Sequence, residues 1–155
     1  NTTWKPRLGF EFDYASGDTD PTDGTSHTFD NLFPANHAFY GYMGLVGLKN
    51  LNDYRYSLSV NPTDKLKVTT DLHFIYLDTV KDSFYSAARG VTRTSSGIGI
   101  NSHVGNELDL WASYKICPYA SVVVGYSRLF AGKYLAQTGA NDDADFFYLQ
   151  TVLNF

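Results

Sequence analysis

The chain has 155 residues, 18% of them charged, with a net charge of −4 and a mean hydropathy of −0.25. That acidic balance leaves no basic footprint for nucleic acid, and no run approaches the roughly 18 consecutive apolar residues of a membrane-spanning helix. A single cysteine, Cys117, excludes a disulfide framework within the chain.

Asn1-Thr2-Thr3-Trp4 has neither the basic start nor the apolar core of a secretory signal, so the chain reads as mature or cut from something longer. Six segments then alternate with period two, the spacing of a strand that shows different faces to different surroundings. From Arg7 to Tyr14, Leu8, Phe10, Phe12 and Tyr14 make an apolar face, and Arg7, Gly9, Glu11 and Asp13 a polar one. From Tyr54 to Asn61, Tyr54, Tyr56, Leu58 and Val60 oppose Arg55, Ser57, Ser59 and Asn61. From Leu66 to Tyr76, Leu66, Val68, Leu72 and Phe74 oppose Lys67, Thr69, Asp71 and His73. From Glu107 to Ile116, Leu108, Leu110, Ala112, Tyr114 and Ile116 oppose Glu107, Asp109, Trp111, Ser113 and Lys115. From Ala120 to Ser127, Val122, Val124 and Tyr126 oppose Ser121, Val123 and Gly125. The closing strand sets Phe147, Leu149, Leu153 and Phe155 against Tyr148, Gln150, Val152 and Asn154.

This alternation fits a half-buried strand of a soluble sandwich, and it equally fits a transmembrane barrel with lipid outside and a wet lumen inside. The connections separate the two. Pro62-Thr63-Asp64 and Cys117-Pro118 are very short, whereas residues 16–53, 78–106 and 129–144 form long polar loops. Short and long alternate strictly, as short periplasmic turns and long extracellular loops do in an outer-membrane barrel. The stretch Phe39 to Asn50, "FYGYMGLVGLKN", is apolar and glycine-rich. A seventh strand there would break the alternation of loop lengths, so a short helix or folded-back loop segment is expected. Aromatic residues gather toward strand ends, including Trp4, Tyr54, Tyr56, Tyr76, Tyr114, Tyr119, Tyr126, Phe147 and Phe155. Such rings suit the headgroup level at both rims of a barrel.

"PRLGFEFDYASGD", "TFDNLFPANHAFYGYMGLVGLKNLNDYRYSLSVNPTDKLKV", "VGNELDLWASYK" and "VVVGYSRLFAGKYL" occur in that order. Together they resemble the C-terminal part of alginate-export-type outer-membrane porins, from about Trp4 to Phe155. The resemblance implies an all-β, antiparallel transmembrane barrel of about eighteen strands in a Gram-negative-type outer membrane, of which residues 1–155 supply one C-terminal portion. It implies a channel for passive diffusion or export of small or carbohydrate-like polar solutes, without a covalent step. A structural barrel component of a larger outer-membrane assembly is the alternative, and a soluble ligand-binding sandwich is a third reading. The implied partners are outer-membrane lipid, lipopolysaccharide and the remaining strands, from the same longer chain or from partner chains. Six strands cannot close alone, because open edges in lipid leave backbone groups unsatisfied.

The expected pore lining is Arg7, Glu11, Asp13, Arg55, Lys67, Asp71, His73, Glu107, Asp109 and Lys115. The type member of the family has a lumen lined by arginine and lysine, and the mixed charge here departs from it. Phe147, Leu149, Leu153 and Phe155 are expected to face lipid, with Phe155 at the periplasmic rim. Glu107 and Asp109 share a face about 7 Å apart along one strand. Paired carboxylates suit acid–base work, but on a polar lining strand the simpler expectation is pairing with basic neighbours. His27, His37, His73 and His103 lack zinc-ligand spacing, and His73 is expected as a wet lining residue. "DTDPTDG", Asp18 to Gly24, misses the calcium-loop pattern, because Thr22 takes its fifth place and Asp23 its sixth. No metal or cofactor is expected.

Overall fold

In the computed structural model, which describes residues 4–35, 39–95 and 98–155, the protein is almost wholly β, with a short helix at Lys133–Thr138. The strands are β1 (Arg7–Ala15), β2 (Leu51–Val60), β3 (Leu66–Tyr76), β4 (Phe84–Tyr85), β5 (Val91–Arg93), β6 (His103–Cys117), β7 (Ala120–Ala131) and β8 (Ala144–Leu153). The helix α1 is Lys133–Thr138. Six strands form one antiparallel sheet in the order β1-β2-β3-β6-β7-β8, and β4 and β5 form a separate hairpin within the second long connection. Each strand lies beside its predecessor in the sheet, so all the short turns are at one end and all the long loops at the other.

The six predicted strands are all present and β3 keeps its expected bounds, but the other strands run further toward the loops than their alternation indicates. β2 begins at Leu51 rather than Tyr54, β6 at His103 rather than Glu107, and β7 runs on to Ala131. β8 begins at Ala144 and ends at Leu153. The long connections shrink accordingly to residues 16–50, 77–102 and 132–143. The reason lies in a change of character along the polar face. At the loop end that face carries Ala15, Leu51 and Ile75, which are buried with Val46, Leu77, Phe84, Val104, Tyr134 and Leu135 in a small apolar core. All three long loops contribute to it. Of the extra strand residues, Leu51, Leu129 and Ala131 are apolar on the face that is polar elsewhere, so simple alternation ends near them.

The described part of Phe39 to Asn50 adds no strand to the sheet. It makes one isolated bridge, Val46 to Ser86, and a turn closed by Gly44 N–H donating to Gly41 O at 3.1 Å. Residues 36–38, and His37 with them, lie outside the described residues.

The short turns are locally determined. Thr63 Oγ1 accepts from the backbone N–H of Leu66 at 3.1 Å, closing the β2–β3 turn. Pro118 and Tyr119 close the β6–β7 turn, and Cys117 beside them is a free, exposed thiol.

Two residues join the loops to one another. Asn50 is fully buried, in a left-handed conformation with φ of 49°. Asparagine tolerates that region better than most residues. Its Nδ2 donates to Thr79 O at 2.9 Å and Ser83 O at 3.0 Å, and its Oδ1 accepts from Thr79 N–H at 2.8 Å. Asp82 accepts from Thr28 Oγ1 at 2.6 Å, the backbone N–H of Asp18 at 2.9 Å, Tyr85 Oη at 2.7 Å and the backbone N–H of Ser83 at 2.6 Å. Burial pushes the Asp82 carboxyl up, but these four donors outweigh it and hold the group below its ordinary value of 3.8.

Two outcomes follow from these junctions. Asn50→Ala strands three backbone groups, at a cost of about 2 kcal/mol. The loops should then be cut roughly thirtyfold faster by protease in detergent, if cleavage tracks the open population. Because the folded Asp82 is depressed, its stabilisation is complete above pH 3.8 and is lost as pH falls below that value. Hydrogen exchange at the Asp18 and Ser83 amides, corrected for intrinsic rates, should show the loop junction opening below this pH, and Asp82→Asn should flatten the dependence.

Candidate functional site: the charged face of the sheet

Register decides which side chains meet. Across β1, β2, β3 and β6, Glu11 pairs with Arg55, Arg55 with His73 and His73 with Glu107. One step toward the turns, Ser57 pairs with Asp71 and Asp71 with Asp109. One step toward the loops, Asp13 pairs with Asp53. All these residues share one face.

The two faces are exposed in the reverse of the soluble pattern. The apolar face is open, with Leu8 at 82%, Phe147 at 67% and Leu149 at 70% of full exposure. Leu153 and Phe155 are also exposed. On the charged face, Glu107, Asp53, His73, Asp71 and Asp109 are all buried, at 2% exposure or less. Glu11, Asp13 and Arg55 are half-buried, while Arg7, Lys67 and Lys115 stand exposed toward the turn end.

Two connected clusters account for the buried charges. Arg55 reaches Asp71 at 2.7 Å and Glu11 at 3.7 Å. His73 Nδ1 lies 2.6 Å from Asp53, and its Nε2 lies 3.8 Å from Asp109. His73 is therefore not the wet lining residue expected from sequence. It is clamped between two aspartates, where buried charge requires partners.

Glu107 and Asp109 also differ from expectation. Asp109 meets the neighbouring-strand His73 at 3.8 Å, but the hydrogen bonds to both carboxylates come from the folded-back loop. Tyr42 N–H donates to Asp109 Oδ2 at 3.1 Å, and Met43 N–H donates to Glu107 Oε1 at 2.8 Å. Gly41 makes the approach possible: its φ is 97°, and a Cβ there would stand 2.5 Å from Glu107 Oε2. The Tyr42 ring stacks on Tyr148 at 4.5 Å and contacts Trp111 at 5.3 Å. Tyr148 in turn lies across Gly125, where a Cβ would collide with the ring.

Charge is thus sorted along the strands as well as across them. Cations dominate the turn end and carboxylates the loop end, with Arg55 and Asp71 between. Direct contacts between basic and acidic side chains on this face centre on Arg55 and His73. The aromatic distribution also differs from the expected rims, since Tyr126 and Phe147 pair in mid-strand.

Sequence reasoning missed Asp53, Gly41, Tyr42 and Tyr148 as members of the site. Asp53 was detectable: it continues the alternation of Arg55, Ser57 and Ser59 by one further step. Tyr148 was placed on the correct face but without a partner. Gly41 and Tyr42 carry no local signal, because their contacts are with β6 and β8.

An antiparallel meander with an uncovered apolar face and a packed charged face defines the structural class. Over residues 1–148 the chain matches the alginate export family model, and it belongs to that family. No curated protein and no solved structure matches the chain.

Gly41→Ala should lift the Tyr40 to Met43 turn from β6. The near-ultraviolet circular dichroism of the Tyr42, Tyr148 and Trp111 group should weaken while the far-ultraviolet strand signal persists. An unchanged near-ultraviolet signal would show that the turn is not held by this approach.

Proposed function

We propose that these strands form a contiguous portion of an outer-membrane β-barrel channel, with the apolar face toward lipid and the charged face toward a water-filled lumen. The observation that carries this reading is the inverted exposure of the sheet. Leaving Leu8, Phe10, Phe147 and Leu149 open while burying Glu107, Asp53 and His73 suits apolar surroundings outside and polar surroundings inside. The separation of short turns from long loops supports it, as does membership of the alginate export family.

The outer edges of β1 and β8 have no partner strand in this sheet. In lipid they require one, because unsatisfied backbone groups there cost several kcal/mol each. The remaining strands of the barrel, from the same chain or from partner chains, supply it. Outer-membrane lipid and lipopolysaccharide then surround the apolar face. Phe155 lies at the turn end, beyond the Asn154 N–H that donates to Tyr119 O, and on this reading marks the periplasmic rim.

Solutes pass by diffusion, selected by width and charge. The segment from Tyr40 to Val46 narrows the path from within, and the loop core limits the outer mouth. The accessible cations Arg7, Lys67 and Lys115 and the half-buried Glu11, Asp13 and Arg55 act on solutes directly. Asp71, His73, Glu107 and Asp109 act through their field and by holding the loop. This division suits small or carbohydrate-like polar solutes.

The loop core of Ala15, Leu51, Ile75, Phe84 and Tyr134 also favours a second reading, a structural barrel component with little transport of its own. Conductance separates the two. In planar bilayers under a salt gradient, replacing both Arg7 and Lys67 by Gln should shift the reversal potential toward cation preference. An unchanged potential would overturn their assignment to the lumen, and a wild-type barrel without conductance would favour the structural reading.

A further inference from the structure

Charge is lopsided at the turn end of the sheet. Lys5, Arg7, Lys65, Lys67 and Lys115 gather there, and Asp64 is the one acidic residue among them. Asp64 pairs with Lys5 at 3.5 Å, and the other cations have no ion pair among the described residues.

Two of them face each other. The β3–β6 register runs to Leu66 opposite Tyr114, and one step further Lys115 N–H donates to Lys65 O at 2.9 Å. Like charges set directly opposite on neighbouring strands destabilise a sheet. No carboxylate among the described residues offsets this pair, so the arrangement points to an anion from outside.

A cavity of about 520 Å³ lies at the pair, lined by Lys65, Lys115, Ile116, Cys117 and Pro118. β6 is bulged between Lys115 and Cys117. Consecutive residues of opposite parity therefore line one cavity, and the charged and apolar faces of the sheet meet at its edge. Both lysines are exposed and open to a ligand. Ile116, Tyr114 and Tyr119 are exposed as well.

This mixture narrows the ligand. A free anion would use the lysines and leave Ile116 and Pro118 idle. A plain apolar chain would use those two and leave the lysines unpaired. A phospholipid uses both, because it joins a phosphate to acyl chains, and lysine binds phosphate as a point charge. Exposed tyrosines suit the headgroup level that flanks such a site.

We propose that this cavity binds an anionic phospholipid of the periplasmic leaflet, its phosphate between Lys65 and Lys115 and its acyl chains leaving over Ile116. The inference rests on the barrel reading, which places the turn end at the periplasmic rim.

Cys117 lines the cavity and takes an environment-sensitive fluorophore, with Cys117→Ser as the blank for any other labelled position. Phosphatidylglycerol added to the labelled barrel in detergent should change the emission saturably. Lys65→Gln and Lys115→Gln should each raise the half-saturating concentration about fivefold, the effect of one lysine beside an anionic lipid surface. In the unlabelled protein, phosphatidylglycerol should raise the thermal midpoint of the wild type more than that of the double variant, since a ligand stabilises the state that binds it. No saturable emission change and equal midpoint shifts would overturn the site, even in a conducting channel. An equal response to phosphatidylcholine would overturn its dependence on charge. Saturation by inorganic phosphate alone would overturn it in favour of a free-anion site, and saturation by polyglutamate alone in favour of an acidic protein partner. A saturable, lysine-dependent response in a protein without conductance would uphold the site and overturn the channel reading.

Discussion

Buried charge on one face of the sheet is the constraint from which the remaining features follow. Asp53, His73 and Asp109 lie in one line of contacts, and Arg55 joins Asp71 to Glu11 beside it. Desolvating such groups is costly unless each finds a partner. The sheet register brings most of them together, and the loop segment supplies backbone donors for Glu107 and Asp109. The fold-back of Tyr40 to Met43 is therefore part of how the charged face is satisfied.

The same pairing frees the opposite face. A strand sends successive side chains to opposite sides, so packing the charged set leaves the leucine, phenylalanine and tyrosine set outward. In water that arrangement would expose a large contiguous apolar surface, which soluble monomers avoid. In the proposed outer-membrane setting it is the surface that lipid requires. The two faces form one design, and the inversion links the pattern of burial to the function proposed for the chain.

Along the strands the charged face has three zones. Arg7, Lys67 and Lys115 stand accessible at the turn end, the paired charges with Trp111 occupy the middle, and an apolar core seals the loop end. Loops of this length carry little structure unless something orders them. Here Asn50 and Asp82 tie separate loops by side-chain bonds to backbone, and the apolar core packs them against the sheet end. On the channel reading, an ordered outer mouth and a narrowed interior select solutes by shape as well as by charge.

The six strands, their two faces and the short turns were legible in the sequence because each is a local property. Alternation at Leu8 to Tyr14 or Phe147 to Leu153 needs no knowledge of the neighbouring strand. The family was legible as well, from the order of several segments taken together. Several strand ends were not, because Leu51 is apolar on the polar face and makes sense only beneath the loops that cover it, although β3 ends at Tyr76 as its alternation indicates. The sequence alone therefore determined a two-faced antiparallel sheet and the grouping of its charges on one side. Tertiary structure alone decided that Asp53 meets His73, that Asp109 meets Tyr42, and that the long loops share one apolar core at the loop end of the sheet. These contacts join residues far apart in the chain, and register and loop packing bring them together where no local pattern records it.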